Sequence, residues 1–105
     1  PTLIKNIEKS RESKDAQNIE QIKSACEVAL QDEKAYQNTV STGDVTLVTL
    51  DKDGCTVTGS DDFKTEFDGI MDVNGTTLTA KKYATKKVTF IVNAQGQVSY
   101  TEADK

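Results

Sequence analysis

The chain has no histidine and no tryptophan, and Pro1 is the only proline among its 105 residues. Histidine is the usual general base of side-chain nucleophiles and a common zinc ligand, so its absence excludes Ser-His and Cys-His catalysis and histidine-ligated metal sites. The two cysteines, Cys26 and Cys55, do not form a CxxC motif, and no Gly-rich phosphate loop is present. We therefore expect no catalytic residue, no metal and no cofactor.

Long apolar runs are also missing, and no segment of the sequence is long enough to cross a bilayer. Because the chain starts at proline rather than methionine, we expect a preceding segment that this chain lacks. With 35% hydrophobic and 29% charged residues, a single domain, residues 1–105, with a small core is expected. The net charge of −4 divides into +2 on residues 1–14 and −6 on the remainder. This acidic body disfavours nucleic acid as the main partner.

Helical periodicity dominates the first third of the chain. Proline suits the first turn of a helix, and Pro1 is followed by three apolar residues, Leu3, Ile4 and Ile7. Periodicity resumes at Ala16 and continues to about Tyr36, with an apolar stripe made of Ile19, Ile22, Cys26, Ala29 and Leu30. A helix of about 36 residues would be about 54 Å long, which exceeds the diameter of so small a domain. The sequence thus predicts a projecting helical arm, residues 1–15, and a packed helix, residues 16–38.

The arm is otherwise polar, and its charges are spaced for ion pairs along the helix: Lys5–Glu8, Glu8–Arg11 and Arg11–Asp15. Further along, Val28 lies opposite the packed stripe, where simple two-layer packing offers it no partner. The helix therefore carries apolar side chains that its own domain is not expected to cover.

Residues 39–105 are rich in β-formers and turn residues. Strands are predicted at Val45–Leu50 and Cys55–Thr58 around the turn Asp51–Gly54, and at Val88–Val92 and Gln97–Tyr100 around the turn Asn93–Gly96. Asn74-Gly75 predicts a further hairpin, between Ile70–Val73 and Thr76–Ala80. A short helix is expected at Ser60–Phe67 with Ser60 as its N-cap. The expected fold is α+β, with one long N-terminal helix packed on an antiparallel sheet.

Three groups of residues are candidate sites, each with a plainer alternative. Cys26 and Cys55 are either joined by a disulfide that closes a loop of roughly 30 residues, or are two buried free thiols. Asp51–Gly54 faintly resembles a calcium loop, but the positions that need glycine and glutamate hold Thr56 and Asp62, which favours an ordinary turn. The acids of the next segment either bind calcium or flank a helix N-terminus, which we favour; they are Asp61, Asp62, Glu66 and Asp68.

The only basic cluster of the body consists of Lys81, Lys82, Lys86 and Lys87. Such a cluster contacts phosphates in some DNA-binding proteins, but Tyr83 is its only interleaved aromatic residue. We favour a solvated hairpin edge, where lysines discourage pairing with other sheets. Nucleic acid is therefore not expected as a partner.

The opening segment, Pro1-Thr-Leu-Ile-Lys-Asn-Ile-Glu-Lys-Ser-Arg11, resembles the stretch that follows the membrane-spanning part of type IV pilins and pseudopilins, in the style of Gram-positive anaerobes. The match covers about residues 1–14, and the remainder agrees with the pilin head in architecture alone. The chain lacks the family's processing site and apolar segment. It also lacks the C-terminal disulfide-bounded loop, so roles tied to that loop are not carried over.

The resemblance implies a structural subunit of an extracellular, pilus-like filament that serves adhesion or motility. A missing apolar helix would hold the subunit in the membrane before assembly, and Leu3, Ile4 and Ile7 would form the outer end of the bundled filament core. Its partners would be further copies of itself and the pilus assembly machinery. Two alternatives stay open: a pseudopilin of a type II secretion or DNA-uptake machine, and a small cell-surface binding module whose first helix is a stalk.

Overall fold

The longest element is helix α1, Thr2–Ala29, whose 28 residues span about 42 Å. The computed structural model describes the backbone of residues 2–105 and the side chains of residues 6–105. Pro1 and the predicted interface side chains of Leu3 and Ile4 lie outside the described residues. The long N-terminal helix expected from the sequence is thus present.

The packed helix ends at Ala29 instead of continuing to residue 38, and a separate helix α2 follows at Glu33–Thr39. The N–H of Gln31 donates to the carbonyl of Val28 at 3.0 Å, which tightens the last turn of α1. Asp32 then caps α2, because its Oδ2 accepts a hydrogen bond from the N–H of Ala35 at 3.0 Å. An aspartate that satisfies the first amides of a new helix favours a break over a continuous helix.

A four-stranded antiparallel sheet has the order β2-β1-β3-β4. Its strands are β1 (Val45–Asp51), β2 (Gly54–Val57), β3 (Lys86–Val92) and β4 (Val98–Asp104). Both predicted hairpins of this sheet are confirmed. The register of β1 on β3 shifts between Thr46 and Val48, so Leu47 and Val48 are both fully buried. This bulge explains why the polar–apolar alternation of β1 is incomplete.

Helix α3 spans Asp61–Ile70 and begins at its predicted N-cap, since Ser60 Oγ accepts a hydrogen bond from the N–H of Phe63 at 3.1 Å. The predicted hairpin around Asn74-Gly75 is wrong, because no strand flanks this turn. The N–H of Thr76 donates to the carbonyl of Val73 at 3.0 Å, and of the two central residues of this turn only Gly75 has a positive φ, at 79°. A type I′ hairpin turn needs a positive φ at both central residues, so Asn74 does not fit one.

The core is one apolar cluster between the sheet and the three helices. Helix α3 packs against both α1 and α2. The largest fully buried side chains are Phe63, Phe67, Phe90, Ile22 and Leu47. The fold is therefore α+β, as expected, with α1 contributing one side of its C-terminal part to the core.

Candidate assembly surface and other predicted sites

The N-terminal part of α1, residues 6–14, lies outside the core, and we refer to it as the arm. All of its side chains are exposed except that of Glu8, which is half-buried. Ile7 retains 46% of its accessible surface, whereas Ile19 and Ile22 retain 3% and 0%. The described member of the predicted assembly interface is therefore an uncovered apolar side chain.

The boundary between the arm and the packed helix is marked by a buried carboxylate. Asp15 is fully buried, and its Oδ2 accepts hydrogen bonds from the N–H groups of Thr79, at 3.0 Å, and Ala80, at 2.7 Å. Its Oδ1 also accepts from the hydroxyl of Thr79 at 3.2 Å. These bonds supply the partners that a buried carboxylate requires, and they fasten the helix to the segment before β3.

A second carboxylate, two helical turns earlier, contacts the same segment. Glu8 Oε2 accepts a hydrogen bond from the N–H of Lys81 at 2.8 Å. The arm therefore touches the body at Glu8, while its other side chains remain exposed. The predicted pairs Glu8–Arg11 and Arg11–Asp15 are wrong, because neither ion pair forms among the described side chains and both carboxylates accept hydrogen bonds from backbone amides of residues 79–81. The third predicted pair, Lys5–Glu8, involves a side chain outside the described residues.

Neither of these two anchors was predicted from the sequence, although a signal for Asp15 existed. Asp15 precedes Ile19 and Ile22 by four and seven residues, so the three side chains lie on one side of the helix. An acid in register with a buried stripe needs a polar partner on the facing element. That partner, the backbone of residues 79–80, belongs to an irregular segment that periodicity does not identify.

Cys26 and Cys55 are free thiols in the structure, Cys26 buried in α1 and Cys55 half-buried in β2. Burial raises the pKa of Cys26 to about 12, with further contributions from the neighbouring Cys55 and Glu27. Burial also raises the pKa of Cys55 to about 11. Both thiols are therefore protonated and weakly nucleophilic at neutral pH. A disulfide between them stays a prediction.

The turn that resembles a calcium loop is engaged by its own chain. Asp51 Oδ1 accepts hydrogen bonds from the N–H groups of Asp53, at 2.8 Å, and Gly54, at 3.2 Å. The first of these bonds lowers the pKa of Asp51 despite its partial desolvation. Lys105 Nζ lies 2.8 Å from Asp53 Oδ2 and 3.4 Å from Asp51 Oδ2. These contacts fit the ordinary turn that we favoured.

The acids of α3 occupy the predicted helix N-terminus and the turns that follow it. Asp61 and Asp62 lie in the first turn, and Asn38 Nδ2 donates to Asp62. Repulsion from Asp32, together with a hydrogen bond to that residue, raises the pKa of Glu66, and Asp62 adds to the effect. No group of three side chains arranged to hold a metal occurs among the residues that the structure describes.

The four lysines of the basic cluster divide between two elements. Lys82 lies over the ring of Tyr83 at 5.0 Å from its centroid, in a 3₁₀ turn at Lys81–Tyr83. Lys86 Nζ, at the start of β3, lies 2.8 Å from Asp104 Oδ1. Lys87 is opposite Ala103 in the register of β3 on β4, and the β1–β3 pairing does not extend to this residue. The predicted hairpin edge is wrong for the second pair of lysines, because β3 is an inner strand of the sheet and Lys86 and Lys87 lie at its first residues.

Comparison of the chain with protein-family models, curated proteins and solved structures found no match. Within residues 2–105, no helix combines the length and the apolar character that a bilayer crossing requires.

Proposed function

We propose that this chain is the head of a type IV pilin-like subunit, which polymerises through its N-terminal helix into an extracellular filament. One observation carries the proposal. Helix α1 begins well before its first buried residue, Asp15, and this N-terminal arm has one described apolar side chain, Ile7, which is uncovered. An exposed helix that the domain does not need for its own core is expected where the helix packs on other molecules.

Two further features support this proposal. The body, including α1 from Asp15 onward, forms a complete small core, so the arm is available for contacts between subunits. Residues 1–14, which include the arm, carry +2 and the remainder −6, a distribution that favours orderly stacking of arm on body. In the proposed filament, an apolar helix ahead of Pro1 would anchor the subunit in the membrane, and the assembly machinery would then extract it.

The test is an Ile7→Asp substitution in cells that make the natural full-length protein. Filaments containing the protein are sheared from the cell surface, separated by sedimentation and detected with an antibody against the head. We expect wild-type filaments and loss of filaments in the Ile7→Asp variant, while the amount of folded protein is unchanged. Gln95→Asp, in an exposed turn, is the matched control and retains filaments. The proposal would be refuted if no surface filament of wild-type cells contained the protein.

A further inference from the structure

A cleft between α1 and the end of α3, which we call the α1–α3 groove, has an apolar floor. Its apolar lining consists of Ala25, Val28, Ile70 and Met71, and its volume is about 300 Å³. Val28 retains 46% and Ile70 45% of their accessible surface, so two neighbouring large aliphatic side chains are both uncovered. Val28 is the residue for which the helical pattern offered no partner.

The groove is bordered by acidic side chains. Asp32 and Glu66 line its continuation beside Val28 and Ile70. The two carboxyl groups lie close enough for Asp32 to raise the pKa of Glu66. A cationic side chain placed beside them would reduce the repulsion between these negative charges. Beyond Met71, Asp68 and Asp72 extend the acidic border. A partner suited to this groove has an apolar side chain flanked by basic ones.

The arm of this same chain has that chemistry. Ile7 is uncovered, and Arg11 and Lys14 follow it at four and seven residues, so all three project from one face of α1. The arm cannot reach the groove of its own molecule, because Ile7 and Val28 are 21 residues apart on one unbroken helix, about 32 Å. The arm of a second copy can supply this face.

We propose that the α1–α3 groove receives the Ile7–Arg11–Lys14 face of the arm of a second copy of this chain. The inference rests on the proposed function, since it names the surface of the body on which the arm packs. Ile7 would cover Val28 and Ile70, and the basic side chains would face Asp32 and Glu66. Val28 and Ile70, exposed in the single chain, would then be buried between copies.

Each copy carries an arm and a groove, and this allows two assemblies. The 21 residues that separate Ile7 from Val28 turn the helix through about 5.8 turns, so both surfaces lie within about 60° around α1. Copies can therefore stack into an open chain, as a filament requires, or two copies can satisfy each other in a closed antiparallel pair. The two assemblies share one contact and differ in the size of the product.

Disulfide trapping tests the contact in the 105-residue chain, with Cys55→Ser as the background. An Ile7→Cys variant and a size-tagged Ile70→Cys variant are mixed at millimolar concentration under mild oxidation. We expect several-fold more mixed dimer than from the matched control, Ile7→Cys with Gln95→Cys, whose second site is an exposed turn away from the groove. Trapping that does not exceed the control would overturn the inference.

Charge reversal tests the acidic border in the same assay. Arg11→Glu and Glu66→Lys should each lower the trapped yield several-fold, and the two together, one on each partner, should restore it. Failure of the pair to restore trapping, with both variants folded by circular dichroism, would also overturn the inference.

A single chain carrying both Ile7→Cys and Ile70→Cys separates this inference from the proposed function. A ladder of trapped oligomers supports both. Trapped dimers alone support the contact, and the surface-filament assay with the full-length protein then decides the proposed function. Surface filaments in cells without arm–groove trapping support the filament and overturn the contact.

Discussion

The two parts of helix α1 have the same secondary structure but different reasons for being helical. From Asp15 to Ala29, one side of the helix is buried in the core, and Ile22 and Cys26 retain no accessible surface. From Asn6 to Lys14, only Glu8 is even half-buried. The packed part is stabilised by apolar burial, whereas the arm depends on helical continuity and on a single bond from the body. A continuous helix is therefore not evidence of uniform stability.

The largest expected contrast is between two isoleucines of this helix. Ile22→Asp places a charge in a fully buried site and should unfold the domain, because an unpaired buried carboxylate costs several kcal/mol in addition to the lost apolar burial. Ile7→Asp lies on the exposed arm and should change the free energy of unfolding by less than about 0.5 kcal/mol. Thermal denaturation followed by circular dichroism measures both. Equal stability of the two variants would invalidate the division of α1.

The two carboxylate anchors provide the next contrast. Asp15→Ala leaves the buried N–H of Ala80 and the partly buried N–H of Thr79 without their acceptor, and should cost about 2–3 kcal/mol. Glu8→Ala removes one bond to the exposed Lys81 and should cost less than about 1 kcal/mol. Urea denaturation of the two variants gives both values. If Glu8→Ala were as costly as Asp15→Ala, the arm would be an integral part of the body.

Hydrogen exchange compares the two parts without mutation. Amides of residues 6–14 should exchange at least about tenfold faster than those of Ile19–Ala29, because opening the arm exposes little buried apolar surface. Mass spectrometry of peptides, or NMR of single amides, resolves the two segments. Equal protection along α1 would show that the arm is held as firmly as the core.

The smallest expected effect concerns the acidic border at the end of the packed part. Asp32 raises the pKa of Glu66, so the folded state favours the protonated carboxyl and is destabilised as pH rises through the ordinary and then the raised pKa. Glu66→Gln should therefore raise the melting temperature at pH 7, and the gain should shrink as pH falls through the raised pKa and disappear below the ordinary pKa of 4.5. Asp44→Asn, an equal change of charge in an exposed loop, is the control. A larger gain at low pH than at pH 7 would contradict this.

The sequence was sufficient to predict an element wherever its local signal agreed with its tertiary context. The stripe from Ile19 to Ala29, the cap at Ser60 and the hairpin turns at Asp51–Gly54 and Asn93–Gly96 all depend on residues near one another in the chain. Such patterns are predictable because side-chain spacing and turn chemistry act over a few residues. The uncovered arm and the unpartnered Val28 could also be anticipated from the same periodicity.

What the tertiary structure decided depends on contacts between distant residues. Asp15 meets Thr79 and Ala80 across more than sixty residues, and no local pattern identifies that pairing. The helix breaks at Asp32 although the apolar periodicity continues, because capping outweighs the pattern there. The Asn74-Gly75 turn forms no hairpin, since α3 runs to Ile70 and leaves no strand before it. The groove beside Val28 exists only because α3 ends there, so sequence periodicity identified an uncovered residue and the fold supplied its surroundings.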